Sequence, residues 1–282
     1  MKKKKAVIYY FSGTGNSYKA ATIIAKKLGG AQMISVTNPP EDVSAADADI
    51  IGFVSPVYEW DIPGVMKEFL ERLTFNPNAY IFAISTYVFI HGKSFETIEN
   101  ILQRKGAHIS YGKGIYCVAS QCTAYTPFPS PKIMLPVMEK QFKKAAREIA
   151  QQKKRNFPHM SFITRNSYDK RMQPYMEIEE EFDKGFYTSD ECAHCGICEK
   201  VCPLGNIKMV DGNPTWHNEK CHGCMACAAY CPKKAVLFKA PEAYMNSGMK
   251  LAKSLKLDEK RKRYHHPDVS VQDIIKKNQY VE

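Results

Sequence analysis

Over the first 155 residues, short apolar runs alternate with stretches whose apolar positions recur every three to four residues. Lys5 to Phe11, Gln32 to Val36, Ala48 to Val54, Ala79 to Ile84 and His108 to Ala119 are rich in β-branched and aromatic residues, the signature of buried strands. Ser17 to Leu28, Pro63 to Leu73, Lys93 to Lys105 and about Leu135 to Gln152 carry the helical period instead. Strand alternating with helix predicts an α/β domain with a five-stranded, doubly wound parallel sheet covered on both faces. In such a sheet the ligand crevice opens at the carboxyl ends of strands 1 and 3.

The periodic pattern stops at Gln151, and cysteine organises the chain beyond it. Cys192-x-x-Cys195-x-x-Cys198-x-x-x-Cys202-Pro203 returns 29 positions later as Cys221-x-x-Cys224-x-x-Cys227-x-x-x-Cys231-Pro232. Two intervening residues let a tight loop aim three thiolates at three corners of one iron–sulfur cubane, leaving a fourth corner for a more distant cysteine. A zinc ribbon has no use for a third cysteine at the same step or for the proline that follows the fourth. Disulfides require export, but the apolar run after Lys2 to Lys5 is too short for a signal sequence and ends in Ser12-Gly13-Thr14-Gly15-Asn16. A reducing cytoplasm, where thiolates persist, is the expected compartment. No stretch approaches the ~20 apolar residues of a membrane span. Small neighbours such as Gly196, Gly223 and Ala226 let backbone N–H groups approach cluster sulfurs. Ile207 and Met209, repeated as Val236 and Phe238, are expected as the small core between the two halves. With eight cysteines in place, His194 and His222 are expected at the surface rather than as ligands.

Strand 1 runs into Ser12-Gly13-Thr14-Gly15-Asn16-Ser17 at the start of a helix. Gly13 and Gly15 allow close backbone approach, so N–H groups at the positive end of the helix can encircle a phosphate. Side-chain donors come from Ser12, Thr14, Asn16 and Ser17, and no cation stands within the loop, which suits a monoester phosphate. A Walker loop needs Gly-Lys-Ser/Thr, and a dinucleotide fingerprint needs a third glycine where Tyr18 stands. After strand 3 comes Ser55-Pro56-Val57-Tyr58-Glu59-Trp60, and after strand 4 comes Ser85-Thr86-Tyr87-Val88-Phe89-Ile90-His91-Gly92.

The first of these loops resembles the FMN-phosphate loop of flavodoxins, and the cysteine repeat resembles that of bacterial two-cluster ferredoxins. Together, in this order, they resemble the flavodoxin/ferredoxin fusion proteins of anaerobic bacteria and archaea. The resemblance implies a flavodoxin-like FMN domain at 1–155, a connecting segment at 156–187, a small α+β ferredoxin-like domain at 188–240 and a tail at 241–282. It implies two 4Fe-4S clusters with a crossover: Cys192, Cys195, Cys198 and Cys231 on one, Cys221, Cys224, Cys227 and Cys202 on the other. By similarity to flavodoxins, Tyr58 or Trp60 covers the flavin ring, with Ser55, Pro56, Val57 and Thr86 beside it. The third loop departs from the acidic or glycine-rich flavodoxin pattern, and the acidic cluster that makes flavodoxins strongly negative is missing.

Charge and composition refine this picture. Forty Lys and Arg against 29 Asp and Glu give a formal +11, but eight thiolates, two clusters and a flavin phosphate would reduce it to about +5. The lysine runs lack aromatic interleaving, so a nucleic-acid binder is disfavoured against solvated faces or a docking patch for acidic redox proteins. Segment 151–191 keeps Phe157, Phe162, Tyr168, Tyr175, Phe182, Phe186 and Tyr187, too aromatic for a flexible linker, and is expected to pack across both domains. Beyond Ala240 the polar tail is expected to be helical. Cys117 and Cys122 remain outside the repeat, Cys117 as a small buried residue and Cys122 on a loop that could border the flavin. The expected function is electron transfer between the clusters and FMN, with ferredoxins or oxidoreductases as partners. The alternative is an FMN-dependent reductase of a small molecule such as a quinone or nitro compound. No substrate-specific acid, base or nicotinamide motif stands in the chain.

Overall fold

The computed structural model describes residues 4–40, 44–121, 127–161, 164–165, 168, 179–217, 221–239, 262–275 and 278–281. Its first half alternates β1 (Ala6–Tyr10), α1 (Asn16–Lys27), β2 (Ala31–Ser35), β3 (Ile50–Pro56), α2 (Gly64–Arg72), β4 (Tyr80–Tyr87), α3 (Ser94–Arg104), β5 (Tyr111–Tyr116) and α4 (Pro131–Ala150). The strands are parallel in the order β2-β1-β3-β4-β5, so the chain reverses its winding direction between β1 and β3. One face of the sheet packs Ile8 and Ile84 against Ile24 of α1 and Met138 and Phe142 of α4. The other packs Phe53 and Ile81 against Phe69 of α2 and Phe95 and Ile98 of α3. Two buried faces explain the unbroken apolar runs of the strands.

Helix α4 begins four residues earlier than its apolar period suggests. Ser130 precedes it and Pro131 occupies its first turn, where a missing N–H costs nothing. Pro136 lies inside, and its interruption of the N–H pattern hides the first turn from a periodicity reading.

The second half contains β6 (Phe186–Thr188), α5 (Ile197–Val201), β7 (Ile207–Val210), β8 (Asn213–Trp216), α6 (Ala226–Ala229) and β9 (Val236–Phe238). Strand β6 pairs antiparallel with β9, and β7 with β8. The 29-residue repeat extends to the backbone. Left-handed residues recur as His194 and Gly223 (φ 52° and 58°), Gly196 and Met225 (69° and 61°), and Gly205 and Lys234 (69° and 56°). Each pair has one glycine and one residue that bears a steric cost for the same turn. Ile207 and Val236 are buried as expected, with Phe182, Phe186 and Phe238 completing the core.

The connecting segment divides its aromatics between the domains. Phe157 stacks on Phe95 and covers Gly112 in the first domain, whereas in the second Phe182 stacks on Phe238 and Phe186 packs against it at a tilt. Phe162 and Tyr175 lie outside the described residues. The tail departs from expectation. Residues 240–261 lie outside the described residues, but 262–270 are irregular, followed by a short helix α7 (Val271–Ile275) and a strand β10 (Asn278–Val281). Strand β10 pairs antiparallel with β2 and makes the sheet six-stranded.

Candidate functional site

The loop after β1 is fixed at both ends. Phe11 N–H still bonds the Val54 carbonyl at 3.1 Å, and Lys19 N–H closes the first turn of α1 on the Gly15 carbonyl at 2.9 Å. Gly15 has φ 97° and donates its N–H to Ser12 Oγ at 3.1 Å. Ser17 and Thr86 hydroxyls meet at 2.7 Å, both buried, which ties the loop to the end of β4. Asn16 donates through Nδ2 to the Val118 carbonyl at 3.1 Å and accepts the Tyr264 hydroxyl at 2.9 Å. The leading N–H groups of a helix have no partner within it and carry its positive dipole end, so an anion is the group this loop suits.

The loop after β3 is a two-residue hairpin turn. Tyr58 and Asp61 exchange both backbone bonds at 2.9 Å, and Glu59 and Trp60 between them are left-handed at φ 44° and 63°. Such turns favour Asn and Gly, so two larger residues here are held against strain. Buried Asp61 provides the hold by accepting from Ile62 N–H (2.7 Å) and the Thr97 hydroxyl (2.9 Å) and pairing with Lys67 (2.8 Å). The third loop bonds this one directly, since Lys93 N–H donates to the Trp60 carbonyl at 2.7 Å and a side chain at Gly92 would strike the same carbonyl.

These loops enclose a crevice of about 690 Å³. Of the predicted residues, Ser12, Gly13, Thr14, Asn16 and Ser17 line it, as do Pro56, Val57, Tyr58, Trp60 and Thr86. Gly15 and Ser55 do not. Gly15 faces His266 and Val269, and the Ser55 hydroxyl turns to the Pro56 carbonyl. Tyr58 packs edge-on against Phe11, and its hydroxyl lies against Gly13. Burial, and then the neighbouring Cys224, hold the Tyr58 phenol well above its ordinary pKa. Trp60 lies 6.3 Å from the ring of Tyr168, over which Lys93 Nζ sits at 3.7 Å. Cys117 is buried at the crevice wall, where desolvation raises its thiol pKa strongly. Cys122 lies outside the described residues.

The opposite wall belongs to the second cysteine loop. Cys221, His222, Gly223, Cys224 and Met225 all line the crevice. Gly13 lies so close to Cys224 that a Cβ there would stand 2.4 Å from its carbonyl oxygen and 2.8 Å from its Cβ. His222 accepts the Val65 N–H on Nε2 at 3.2 Å, in the first turn of α2, and meets Phe11 edge-on. The histidine expected at the surface is therefore an interdomain contact. His194, its neighbour in the other copy, is exposed and bonds only locally, to the Gly212 carbonyl at 2.9 Å.

The thiols form two groups. Cys192, Cys195, Cys198 and Cys231 line one concavity beside Met209 and Pro214. Cys221 and Cys202 lie close enough to Cys224 to add to the rise in its pKa, and Cys227 is buried on α6. Desolvation pushes the Cys198 thiol up to about 11 and Cys224 higher still. Buried thiolates of this kind persist only beside compensating positive charge, which iron supplies. Among the described residues, no three His, Cys, Asp or Glu side chains are gathered tightly enough for a single metal ion.

What sequence reasoning missed is the tail. Tyr264, His266 and Val269 are buried against the glycine loop after β1. Their signal was present as an aromatic and histidine cluster, Tyr264-His265-His266, within an otherwise polar stretch.

Comparison with known proteins assigns the two halves separately. Residues 7–106 match the flavodoxin domain family and 191–236 the 4Fe-4S dicluster domain family. The cysteine-rich part is 44% identical over 45 residues to one subunit of an ion-translocating oxidoreductase complex from Methanosarcina acetivorans, covering 16% of this chain and 17% of that one. It is 39% identical over 54 residues to an uncharacterized ferredoxin from Methanocaldococcus jannaschii, 18% of this chain and 70% of that one. The chain thus spans about a sixth of the first relative and most of the second. Among solved structures, the flavodoxin of Fusobacterium nucleatum bound to flavin mononucleotide aligns over 54% of this chain and 99% of its own, at 15% identity and TM-score 0.38.

Proposed function

Because the chain belongs to the flavodoxin/ferredoxin fusion family, with a flavodoxin domain and a 4Fe-4S dicluster domain in one polypeptide and hence a role in electron transfer, we propose that it passes electrons between two 4Fe-4S clusters and FMN within the chain. The outer cluster is held by Cys192, Cys195, Cys198 and Cys231, and the inner one by Cys221, Cys224, Cys227 and Cys202. Ser12, Gly13, Thr14 and Ser17 hold the FMN phosphate at the head of α1, and the hairpin turn at Glu59 and Trp60 borders the ring. When bound, FMN accepts one or two electrons, whereas each cluster carries one, so the pairing joins one-electron to two-electron chemistry.

The observation that carries this reading is the shared crevice, in which Cys221 and Cys224 stand across from the phosphate loop. The chain's residues bring the second cysteine loop against the glycine loop. Cys224 packs on Gly13 without an intervening side chain, Tyr58 fills the space beside them, and Met225 is buried. The first copy keeps Cys195 exposed, which suits exchange with a redox protein such as a ferredoxin or an oxidoreductase. Among the described residues no helix is long and apolar enough to cross a membrane, and eight reduced thiols suit the cytoplasm.

Anaerobic protein loaded with iron, sulfide and FMN tests the proposal. Stopped-flow reduction should show cluster-to-flavin transfer at a rate independent of protein concentration, because the partners are tethered and docked. A rate proportional to concentration would assign the two cofactor sets to different partners. Fast turnover of a quinone or nitro compound with slow protein-to-protein exchange would favour the small-molecule reductase.

A further inference from the structure

Residues 262–275 touch both domains. On the ferredoxin side, the Arg263 guanidinium donates to the Val236 carbonyl at 2.7 Å, and His265 stacks on Tyr230 at 4.4 Å and 25°. Helix α7 adds Val271 and Ile274 to a small core with Val201 and Ala226. On the flavodoxin side, the Tyr264 hydroxyl donates to Asn16 Oδ1 at 2.9 Å and His266 N–H to the Thr14 carbonyl at 2.8 Å. His266 and Val269 cover Gly15, where an added Cβ would come within 3.0 Å of each. Val269 is wholly buried, Tyr264 is 6% exposed and His266 4%.

We propose that this segment is a strap that braces the phosphate loop from behind and clamps the ferredoxin domain over the crevice, with Tyr264 and His266 as positioning residues for FMN. The inference rests on the crevice being the FMN site. An anion nest works only while its N–H groups converge, and convergence requires that the peptides at Thr14 and Asn16 be held. Ser12 holds the loop from inside through Gly15 N–H, and the strap holds it from outside. Because one segment grips both the loop and the cluster-bearing domain, phosphate binding and domain docking are thermodynamically linked. Each must favour the other by the same factor.

The test uses full-length protein, its Tyr264→Phe variant and a chain ending at Lys262. Affinities for FMN and for riboflavin, the same ring without the phosphate, are measured by flavin fluorescence quenching, and amide exchange is followed at His266 and Val269. Tyr264→Phe keeps the packing and removes one hydrogen bond, so FMN binding should weaken about 5- to 10-fold while riboflavin binding changes little. In the unaltered protein FMN should slow exchange at His266 and Val269, and riboflavin should not. Equal losses for both flavins in Tyr264→Phe, or no loss together with exchange indifferent to FMN, would overturn the strap. If the shortened chain fails to fold, Tyr264→Phe and the exchange data decide. Failure of the unaltered protein to bind FMN at all would overturn the crevice reading with it, whereas intact binding with an indifferent strap overturns the strap alone.

Discussion

The two cysteine loops share spacing, turn conformations and flanking strands, yet their surroundings differ throughout. In the first copy Cys195 and His194 are exposed, and the histidine bonds only to its own domain. In the second, Cys224 presses on Gly13, His222 takes an N–H from α2, and Met225 is buried. The left-handed turn position also inverts: glycine at 196 is replaced by methionine at 225, and His194 by Gly223. Met225 tolerates its strained φ because burial offsets it, while Gly223 lets Phe182 close over the loop, where an added Cβ would stand 3.0 Å from its ring. Two copies of one local code thus meet different surroundings, one with Cys195 exposed and one packed on Gly13, and only the second lines the crevice.

The sharpest way to break this comparison is to remove one cluster at a time. Cys195→Ser and Cys224→Ser should each lower iron from about eight to about four per chain. Only Cys224→Ser should abolish the fast phase of cluster-to-flavin transfer; equal loss in both variants would refute the division of labour. Gly15→Val comes next in size. Its side chain would collide with His266 and Val269 at a φ of 97°, so flavin content should fall to near zero with iron unchanged.

Gly13→Ala probes the contact that only the second copy makes. The new methyl would stand 2.4 Å from the Cys224 carbonyl oxygen, and relief of such overpacking costs about 1–3 kcal/mol. Slower intramolecular transfer at full iron content is expected, and an unchanged rate would show that Cys224 does not sit on this loop in solution.

Acid should loosen the strap. Burial lowers the His266 pKa from 6.5 to about 4, and Nδ1 accepts the Asp268 N–H at 3.2 Å. The unfolded chain therefore binds a proton that the folded chain refuses, so stability is lost as pH falls from about 6.5 towards 4, by an amount on the order of 2–3 kcal/mol. His266→Gln should flatten that part of the stability-versus-pH curve measured by denaturant unfolding. The smallest effect separates the two loop histidines. His222→Ala strands the Val65 N–H and should cost about 1–3 kcal/mol, whereas His194→Ala, at an exposed site, should stay within about 0.5 kcal/mol.

Much of this was legible in the chain. The doubly wound sheet followed from the alternation of apolar rhythms, and the cysteine repeat announced its chemistry through spacing alone. Gly13 and Gly15 were legible as the glycine turn between β1 and α1 but not in their separate contacts, one meeting Cys224 and the other His266 and Val269. Tyr58 or Trp60 read as the ring-covering residue; both line the crevice, and Tyr58 also lies against Phe11 and Gly13. His222 and His194 could not be told apart, because both occupy the same kind of loop and differ only in what packs on it.

Sequence by itself determined what depends on neighbours along the chain: the period of each strand and helix, the glycine loop at the end of β1, and three thiols aimed by one tight turn. These are local because backbone dihedrals and side-chain periodicity repeat within a few residues. Tertiary structure alone decided which cysteine loop faces the crevice, where Tyr58 points and what the tail does. Those features rest on contacts such as His222 with Val65, 157 residues apart, and Tyr264 with Asn16, 248 apart. No period encodes such pairs. They form only when distant parts of the chain bury surface against each other, and the energy of that burial belongs to neither segment alone.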